Sequence, residues 1–205
     1  MTSLDQHKDD LHNNPPFYQH YKDTIPIELV EWINKIVSKQ DLEWEKGAFG
    51  GGKKVDDNVR KSEICWIEDE KLSPYIFSKF KSANTDFKWR YDLDCIEKIQ
   101  YTKYKGYSDN QIGDHYDWHR DYAWKEDERV CRKLGMTLML SKSDDYEGGS
   151  FEFQRFDQGK SHIVKVDLEI GDILVFPSTI QHRVNPVTSG ERRVLVSWAW
   201  GPLFR

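Results

Sequence analysis

The order of apolar and polar residues divides the chain into a helical part and a part made of short β-strands. Residues 1–22 are polar, contain two adjacent prolines and show no apolar period, so we expect a flexible N-terminal arm. Over residues 24–39 apolar side chains recur at helical spacing, which predicts a helix with Pro26 in its first turn. A second, shorter helix is predicted over residues 72–82. Helices therefore precede the main β-rich part.

After about residue 86 the pattern changes to short runs rich in β-branched and aromatic residues, with turn residues between them. Eight such runs are predicted as strands: residues 87–91, 96–104, 132–141, 150–156, 162–166, 173–176, 181–184 and 193–200. Many short strands with frequent turns are typical of an all-β sandwich or barrel. We therefore predict a mainly β fold, a double-stranded β-helix (jelly roll) with supporting N-terminal α-helices. It would form a single domain over residues 23–205, with its β core at about 86–202.

Composition and charge exclude several classes of protein. Aromatic residues make up 14% of the 205 residues, and eight tryptophans argue against disorder because such side chains need a core or a pocket. The formal net charge of −5 argues against a general nucleic-acid binder. No run approaches about 18 apolar residues, so no membrane span is expected.

Cysteine use and the first residues predict the compartment. Cys65, Cys95 and Cys131 are odd in number and widely spaced, which predicts neither a disulfide framework nor a Cys-rich zinc site. The N-terminus has no basic region followed by an apolar one, as a secretory signal would. We therefore expect a reducing, cytoplasmic location.

The densest polar cluster is residues 113–121, which read Gly-Asp-His-Tyr-Asp-Trp-His-Arg-Asp. It contains two His-x-Asp pairs, His115 with Asp117 and His119 with Asp121. On a strand, residues two apart point to the same side, so either pair would present an imidazole beside a carboxylate. A histidine from a neighbouring strand would complete a facial triad, which leaves positions open on a non-haem Fe(II). This spacing alone leaves both pairs open as ligands.

His182 is the candidate for the distal ligand because it follows the apolar strand predicted at 173–176. Arg192 stands ten residues later, and a hairpin turn over 185–190 would return it close to His182. A planar guanidinium there could bind a carboxylate through two parallel hydrogen bonds. Each feature alone is more often structural, and their conjunction indicates a metal site beside a site for an organic acid.

Several short motifs stand in a fixed order within roughly residues 86–202. They are Tyr104, Gly-x-x-Tyr-x-x-His-x-Asp at 113–121, Arg-Lys-Leu at 132–134, Tyr-Glu-Gly-Gly-Ser-Phe-Glu-Phe at 146–153, Gly-Asp-Ile-Leu-Val-Phe-Pro-Ser at 171–178, His-Arg-Val-Asn-Pro-Val-Thr-Ser-Gly-Glu-Arg at 182–192, and Trp198. In this order and spacing the chain resembles the Fe(II)/2-oxoglutarate-dependent dioxygenases, on the prolyl 4-hydroxylase side. The family places a glycine six residues and a tyrosine three residues before the ligand histidine. Gly113 and Tyr116 therefore select the His119 pair.

The resemblance implies a metal centre and its cosubstrate. Fe(II) would be bound by His119, Asp121 and His182, with no further catalytic residue. Arg192 would pair with the far carboxylate of 2-oxoglutarate. O₂ is the second cosubstrate, and ascorbate is an optional reductant.

Further side chains of the cosubstrate pocket are implied by the same likeness. Tyr104 would donate its hydroxyl to 2-oxoglutarate. The connection at 105–112 is longer than the family's usual one, which leaves Tyr101 as a competitor for that role. Trp198 and Tyr116 would form part of the wall of the pocket.

The implied activity is hydroxylation with release of succinate and CO₂, most closely that of a prolyl 4-hydroxylase acting on a peptide or protein. One alternative is the same chemistry on a free amino acid or small molecule, and another is a non-catalytic jelly-roll metal-binding module. Nucleic-acid demethylation would need an arginine where Trp198 stands. The segments 47–54 and 105–112 are expected to border the substrate groove. The sequence gives no indication of oligomeric state.

Overall fold

The computed structural model describes residues 17–39, 41–50, 54–107, 112–157 and 159–203. The predicted arm up to residue 16, and parts of segments 47–54 and 105–112, lie outside the described residues. Within the described ranges the chain forms two helices, α1 (Ile27–Lys39) and α2 (Leu72–Asp86). Neither of these helices has the length and apolar character that crossing a membrane requires.

The strands of the described part are, in chain order, β1 (Gln19–Tyr21), β2 (Glu45–Lys46), β3 (Arg60–Lys61), β4 (Glu63–Ile67), β5 (Cys95–Ile96), β6 (Ile99–Lys105), β7 (His115–His119), β8 (Trp124–Lys125), β9 (Val130–Met139), β10 (Tyr146–Gly148), β11 (Phe151–Asp157), β12 (Lys160–Val166), β13 (Ile173–Pro177), β14 (Gln181–Val184) and β15 (Val187–Pro202). They pair in two antiparallel sheets. The major sheet has the order β1-β13-β9-β15-β6-β4-β2, with β5 and β10 on β15 and β8 on β9. The minor sheet has the order β12-β11-β14-β7-β3. This two-sheet arrangement confirms the predicted mainly β jelly roll with supporting helices.

The major sheet is buried on both faces, which explains why its central strands read as continuous apolar runs. In β13, Ile173 and Val175 pack into a cluster with the helices, whereas Leu174 and Phe176 pack into a second cluster with side chains of the minor sheet. Successive side chains point to opposite faces of a strand, so one short run serves both clusters. The second cluster lies beside the polar residues of the candidate site.

The predicted strand at 87–91 is wrong. Helix α2 continues to Asp86, beyond its predicted end at residue 82, and the backbone N–H of Phe87 donates to the carbonyl of Ala83. Lys88 and Arg90 then adopt φ angles of 54° and 58°, in the left-handed region that a strand does not use. The local pattern is therefore that of a helix end followed by a tight turn.

The β core also begins earlier than residue 86. Strands β3 and β4 lie between the two helices in sequence, and β3 belongs to the minor sheet and β4 to the major sheet. The last part of the predicted arm is a strand, because Gln19–Tyr21 forms β1 and pairs with β13 at the edge of the sheet. The ring of His20 holds this strand, with Nε2 at 2.7 Å from Oδ2 of Asp172. A contact between residues this far apart in sequence produces no local periodicity, so the sequence pattern does not predict the strand.

Asp172 ties β1 to the turn before β13. Its carboxylate accepts hydrogen bonds from the backbone N–H groups of Asp23 and Glu169, at 2.8 and 3.0 Å, and meets His20. Burial alone would raise the pKa of Asp172, but these three hydrogen bonds together hold it below the usual value.

Replacing Asp172 with asparagine is expected to lower the free energy of unfolding at pH 7 by about 1.5–3 kcal/mol, because hydrogen bonds to a charged acceptor are lost. The lowered pKa means that this contribution is present above the unfolded value of about 3.9 and disappears as the pH falls through the folded pKa. Urea unfolding of both proteins at pH 7 and near pH 3 checks this. An equal difference at both pH values would contradict it.

Candidate metal centre

Three of the predicted site residues lie together where β7 and β14 pair in the minor sheet. His119 lies directly opposite His182, and Asp121 follows His119 by two residues. Nε2 of His119 is 3.8 Å from one carboxylate oxygen of Asp121, and Nε2 of His182 is 3.6 Å from the other. One potential ligand atom from each residue lies within 4.8 Å of the others. The spacing suits a single ion between them.

Both histidines present Nε2 towards this point because a backbone carbonyl binds the other nitrogen. Nδ1 of His119 is 2.7 Å from the carbonyl oxygen of Asp117, and Nδ1 of His182 is 2.9 Å from that of Ile180. A carbonyl only accepts, so each Nδ1 carries the hydrogen and each Nε2 keeps its lone pair. Burial, reinforced by His182 nearby, lowers the pKa of His119 well below its usual value. The lowered pKa favours the neutral imidazole, which is the form that can bind a metal through Nε2.

A β-bulge in β7 changes which residues face the site. Tyr116 pairs with Val184 and His119 with His182, so three steps on β7 oppose two on β14. The extra residue puts Tyr116 and His119 on the same side despite their odd spacing. Their rings stack with centroids 3.3 Å apart and an interplanar angle of 11°. Tyr116 thus lies in the lining of the cavity.

The alternative pair, His115 with Asp117, does not reach the site. Both ring nitrogens of His115 contact backbone carbonyl oxygens, Nδ1 that of Gly113 at 2.9 Å and Nε2 that of Asn58 at 3.2 Å. Asp117 is exposed. His115 is therefore a buried structural histidine, and the choice of the second pair agrees with the geometry.

Aromatic side chains hold the ring of His182. Phe151 stacks on it at a centroid distance of 5.4 Å, and Phe176 meets it edge-on at 4.6 Å. The side chain of His182 is almost fully buried, so its orientation is fixed by packing as well as by the bond at Nδ1.

Gly135 in β9 leaves room for the carboxylate of Asp121, which the sequence reading missed. A Cβ at this position would lie 2.7 Å from Oδ2 of Asp121 and 3.0 Å from the ring of Phe176. A side chain there would push the carboxylate out of its place. A glycine inside an apolar strand is the sequence signal of such a close approach.

Gly135→Ala is therefore expected to weaken metal binding by about 10- to 100-fold, the range typical when a neighbour that orients a ligand is disturbed. Equilibrium titration with Fe(II) or Co(II) measures it, with the melting temperature as the control for folding. Unchanged metal affinity in a folded variant would refute this role of Gly135.

Arg192 lies deep in the same cavity as the two histidines and Asp121. The residue is only 1% exposed, and none of its three guanidinium nitrogens has a hydrogen-bond partner within the described residues. Burial lowers the pKa of Arg192, whereas the nearby Tyr146 and Tyr104 act in the opposite direction. The hydroxyl of Tyr146 favours the charged form of the guanidinium, but its position does not meet the geometry of a hydrogen bond. The cavity thus contains a buried cation whose hydrogen-bond donors are free.

Tyr104, and not its competitor Tyr101, faces this cavity. Tyr104 pairs with Arg192 across β6 and β15, and its ring lies 5.6 Å from the guanidinium carbon. Tyr101, three residues earlier, points to the opposite face of the sheet, where its hydroxyl donates to Oδ1 of Asn34 at 2.8 Å. The alternation along β6 therefore favours Tyr104.

Trp198 forms a wall between this inner cavity and an open groove of about 610 Å³. The guanidinium of Arg132 lies 4.0 Å over its ring. The groove reaches Asp121 and is lined by several aromatic side chains, namely Phe49, Trp66, Tyr116, Tyr122 and Trp124. Of the two segments expected at the groove, the described part of 47–54 contributes to its lining, whereas the described residues of 105–112 do not.

Arg60 is a buried residue of this region that the sequence reading missed. Its guanidinium donates to Oγ of Ser62 at 3.1 Å, to the carbonyl of Ala48 at 2.7 Å and to Oε1 of Gln100 at 2.9 Å. It also lies 4.6 Å over the ring of Tyr116. An isolated arginine in a two-residue strand gives no local signal of these contacts.

A jelly roll that brings two histidines and one carboxylate into a single cavity offers the ligand set typical of a non-haem iron oxygenase. Comparison of the sequence supports this class. A profile of the 2OG-Fe(II) oxygenase superfamily matches residues 99–200, and a PKHD-type hydroxylase of Synechococcus sp. strain CC9605 is 37% identical over 174 residues, which are 85% of this chain and 74% of the relative. The chain belongs to the 2OG-Fe(II) oxygenase superfamily. This family uses Fe(II), 2-oxoglutarate and O₂.

Other relatives match over shorter segments. A PKHD-type hydroxylase of Synechococcus sp. strain CC9902 is 40% identical over 91 residues, 44% of this chain and 38% of the relative. One of Hyphomonas neptunium is 42% identical over 88 residues, 42% of this chain and 38% of the relative. The chain thus spans about two fifths of the length of these relatives.

Solved structures with the same fold include prolyl hydroxylases. The crystal structure of a Pseudomonas putida prolyl-4-hydroxylase has a TM-score of 0.65 and 22% identity, covering 97% of this chain and 99% of the other. A prolyl hydroxylase from Trichoplax adhaerens, in complex with a peptide fragment of the hypoxia inducible factor oxygen degradation domain, has a TM-score of 0.62 and 17% identity, covering 97% and 93%. At these identities the likeness establishes the fold.

Proposed function

We propose that this chain hydroxylates a prolyl residue of a peptide or protein, with 2-oxoglutarate as cosubstrate and release of succinate and CO₂. The observation that carries the proposal is the buried guanidinium of Arg192, which shares a cavity with His119, Asp121 and His182. A buried charge without a partner costs about 3–5 kcal/mol. A site with this arrangement is suited to an anionic ligand held beside a metal.

His119, Asp121 and His182 would hold the iron through two neutral imidazole Nε2 atoms and one carboxylate. The donor set fits Fe(II), and the three residues leave coordination positions for two further ligands. With O₂ as the oxidant, bound Fe(II) and 2-oxoglutarate would supply the chemistry in which one oxygen atom goes into succinate, with release of CO₂, and the other into a C–H bond of the substrate. The contribution of the chain is to hold and orient these groups.

Arg192 would bind the far carboxylate of 2-oxoglutarate through paired, charge-assisted hydrogen bonds. The hydroxyl of Tyr104 faces the same cavity and would donate to that carboxylate. Burial raises the pKa of Tyr104, which keeps the hydroxyl protonated and able to donate. Trp198 and Tyr116 cover the cavity from the groove side and would exclude water from the reacting atoms.

The groove supports a polypeptide substrate. Its aromatic walls, Trp66, Tyr122, Trp124 and Trp198, can pack on the faces of proline rings, as in other grooves that recognise proline-rich segments. The prolyl hydroxylases that share the fold, one of them bound to a peptide fragment, support the same choice.

Two measurements test the proposal. The purified protein with Fe(II), ascorbate and 2-oxoglutarate in air should form succinate, and the rate should rise when proline-containing peptides are added. Mass spectrometry of those peptides should show one added oxygen on proline. Absence of succinate would identify a non-catalytic metal-binding module, and succinate formation stimulated only by free amino acids or other small molecules would replace the prolyl substrate.

A further inference from the structure

A second cleft of about 300 Å³ opens on the surface beside the metal site. We call it the rim cleft and define it by Phe17, Arg120, Arg155, Phe156, Ile180 and Gln181. None of the residues that line it belongs to the metal site or to the wall of the cosubstrate cavity. Its role is therefore separate from holding the iron or 2-oxoglutarate.

The rim cleft borders the substrate groove at Arg120. This residue stands between His119 and Asp121 in sequence and lines both the groove and the cleft. On the other side of the cleft, the carbonyl of Ile180 accepts the hydrogen bond from His182. A polypeptide that lies in the groove with a residue at the metal centre would reach the cleft by passing over Arg120.

The rim cleft offers an exposed cation, Arg120, to a ligand. The guanidinium groups of Arg120 and Arg155 line it, and none of the described side chains in its lining is an Asp or Glu, although the whole chain has a formal net charge of −5. Arg120 is exposed, and no carboxylate in the described part of the chain forms an ion pair with it. Arg155 lies with its guanidinium carbon 5.4 Å from the ring of Phe17. An exposed arginine without an ion pair, on a protein of negative net charge, favours an acidic residue in a ligand.

The cleft also exposes apolar surface. Phe156 is 64% exposed, and Ile180 is partly exposed beside it. An apolar side chain of a ligand would cover this surface, whereas a purely polar acidic ligand would leave it in water. The combination favours a segment that carries an apolar side chain flanked by acidic residues.

We propose that the rim cleft binds an acidic segment with an apolar side chain, located in the same polypeptide that is hydroxylated in the adjacent groove. This inference rests on the proposed function, because it takes the substrate to be a polypeptide. The cleft would then contribute to substrate selection outside the residue that reacts.

Binding is tested without turnover, by fluorescence anisotropy with labelled peptides of alternating Ala-Pro followed by Glu-Glu-Phe-Glu-Glu. The comparison peptide has lysine in place of each glutamate. We expect the acidic peptide to bind wild-type protein about tenfold or more tightly than the basic one, and its binding to weaken with salt. Equal binding of the two peptides would overturn the proposal.

Two matched variants locate the binding. Phe156→Ser removes the exposed ring from the cleft and should weaken binding of the acidic peptide about tenfold. Ile163→Ser changes a similarly exposed apolar residue on the neighbouring β12, outside the cleft, and should leave binding unchanged. Equal effects of the two variants, or no effect of Phe156→Ser, would contradict the assignment. Loss of binding in Arg192→Met would place the peptide in the inner cavity and would contradict it too.

The link to turnover is measured separately. If succinate formation is stimulated by Ala-Pro peptides, the acidic tail should lower KM in wild type and should have no such effect in Phe156→Ser. An unchanged KM would overturn the role in substrate selection. Absence of any succinate would count against the proposed hydroxylase, while the anisotropy data would still decide whether the cleft binds acidic segments.

Discussion

Replacing Arg192 with methionine is expected to weaken 2-oxoglutarate binding by about 30- to 4,000-fold, because truncating one partner of a buried charge pair costs about 2–5 kcal/mol. The metal content should stay the same, since the three candidate ligands lie on other segments of the chain. In the absence of 2-oxoglutarate the variant should be at least as stable as wild type, because methionine removes a buried charge without a partner. Calorimetric titration and thermal unfolding measure the two effects.

The matched control is Arg193→Met. Arg193 is adjacent in β15 but points to the other face of the sheet, where its guanidinium lies 3.7 Å from Asp145. This variant should bind 2-oxoglutarate as wild type does. Retained binding in Arg192→Met, or loss of binding in the control, would place the carboxylate site elsewhere, for example at Arg193 or Lys165.

Replacing His182 with alanine is expected to reduce Fe(II) affinity by more than about 100-fold, which exceeds the loss typical of mutating a residue that only supports a ligand. Turnover should disappear with the metal, because two remaining ligands cannot hold the ion in place. The metal content after dialysis and equilibrium titration with Co(II) measure this. Full activity or full iron retention would remove His182 from the triad.

Two further variants separate metal binding from folding. His182→Ala also leaves a cavity between Phe151 and Phe176, so its stability is expected to fall. Asp121→Asn keeps the volume and removes only the charge, and it should lose metal affinity with a smaller change in stability. His162→Ala, at an exposed position of β12, should change neither property.

The sequence predicts those elements of the fold whose apolar and polar residues follow a regular local period. The apolar run of β13 and the alternation in β11 are readable because their side chains are buried by neighbouring sheets. The strands β1 and β3 are too short to show a period and are held by contacts with distant segments. The end of α2 was missed because left-handed backbone at Lys88 and Arg90 is not evident from residue type.

The candidate site shows the same division. His119, Asp121, His182 and Arg192 stand out in the sequence because their chemistry and order are distinctive, and the fold brings all four to one cavity. The bulge that rotates His119 into place arises from the pairing of two strands, which no single segment reveals. The space that Gly135 leaves for a carboxylate likewise depends on a neighbour in another strand.

The position of Arg192 and Trp198 on β15 has a consequence for amide hydrogen exchange. This strand of sixteen residues has β6 on one side and β9 on the other along much of its length, so it has little free edge. Its central amide hydrogens should exchange with solvent only when the whole domain opens. A ligand anchored on this strand would therefore slow exchange throughout the sandwich, by the same factor as it shifts the global unfolding equilibrium.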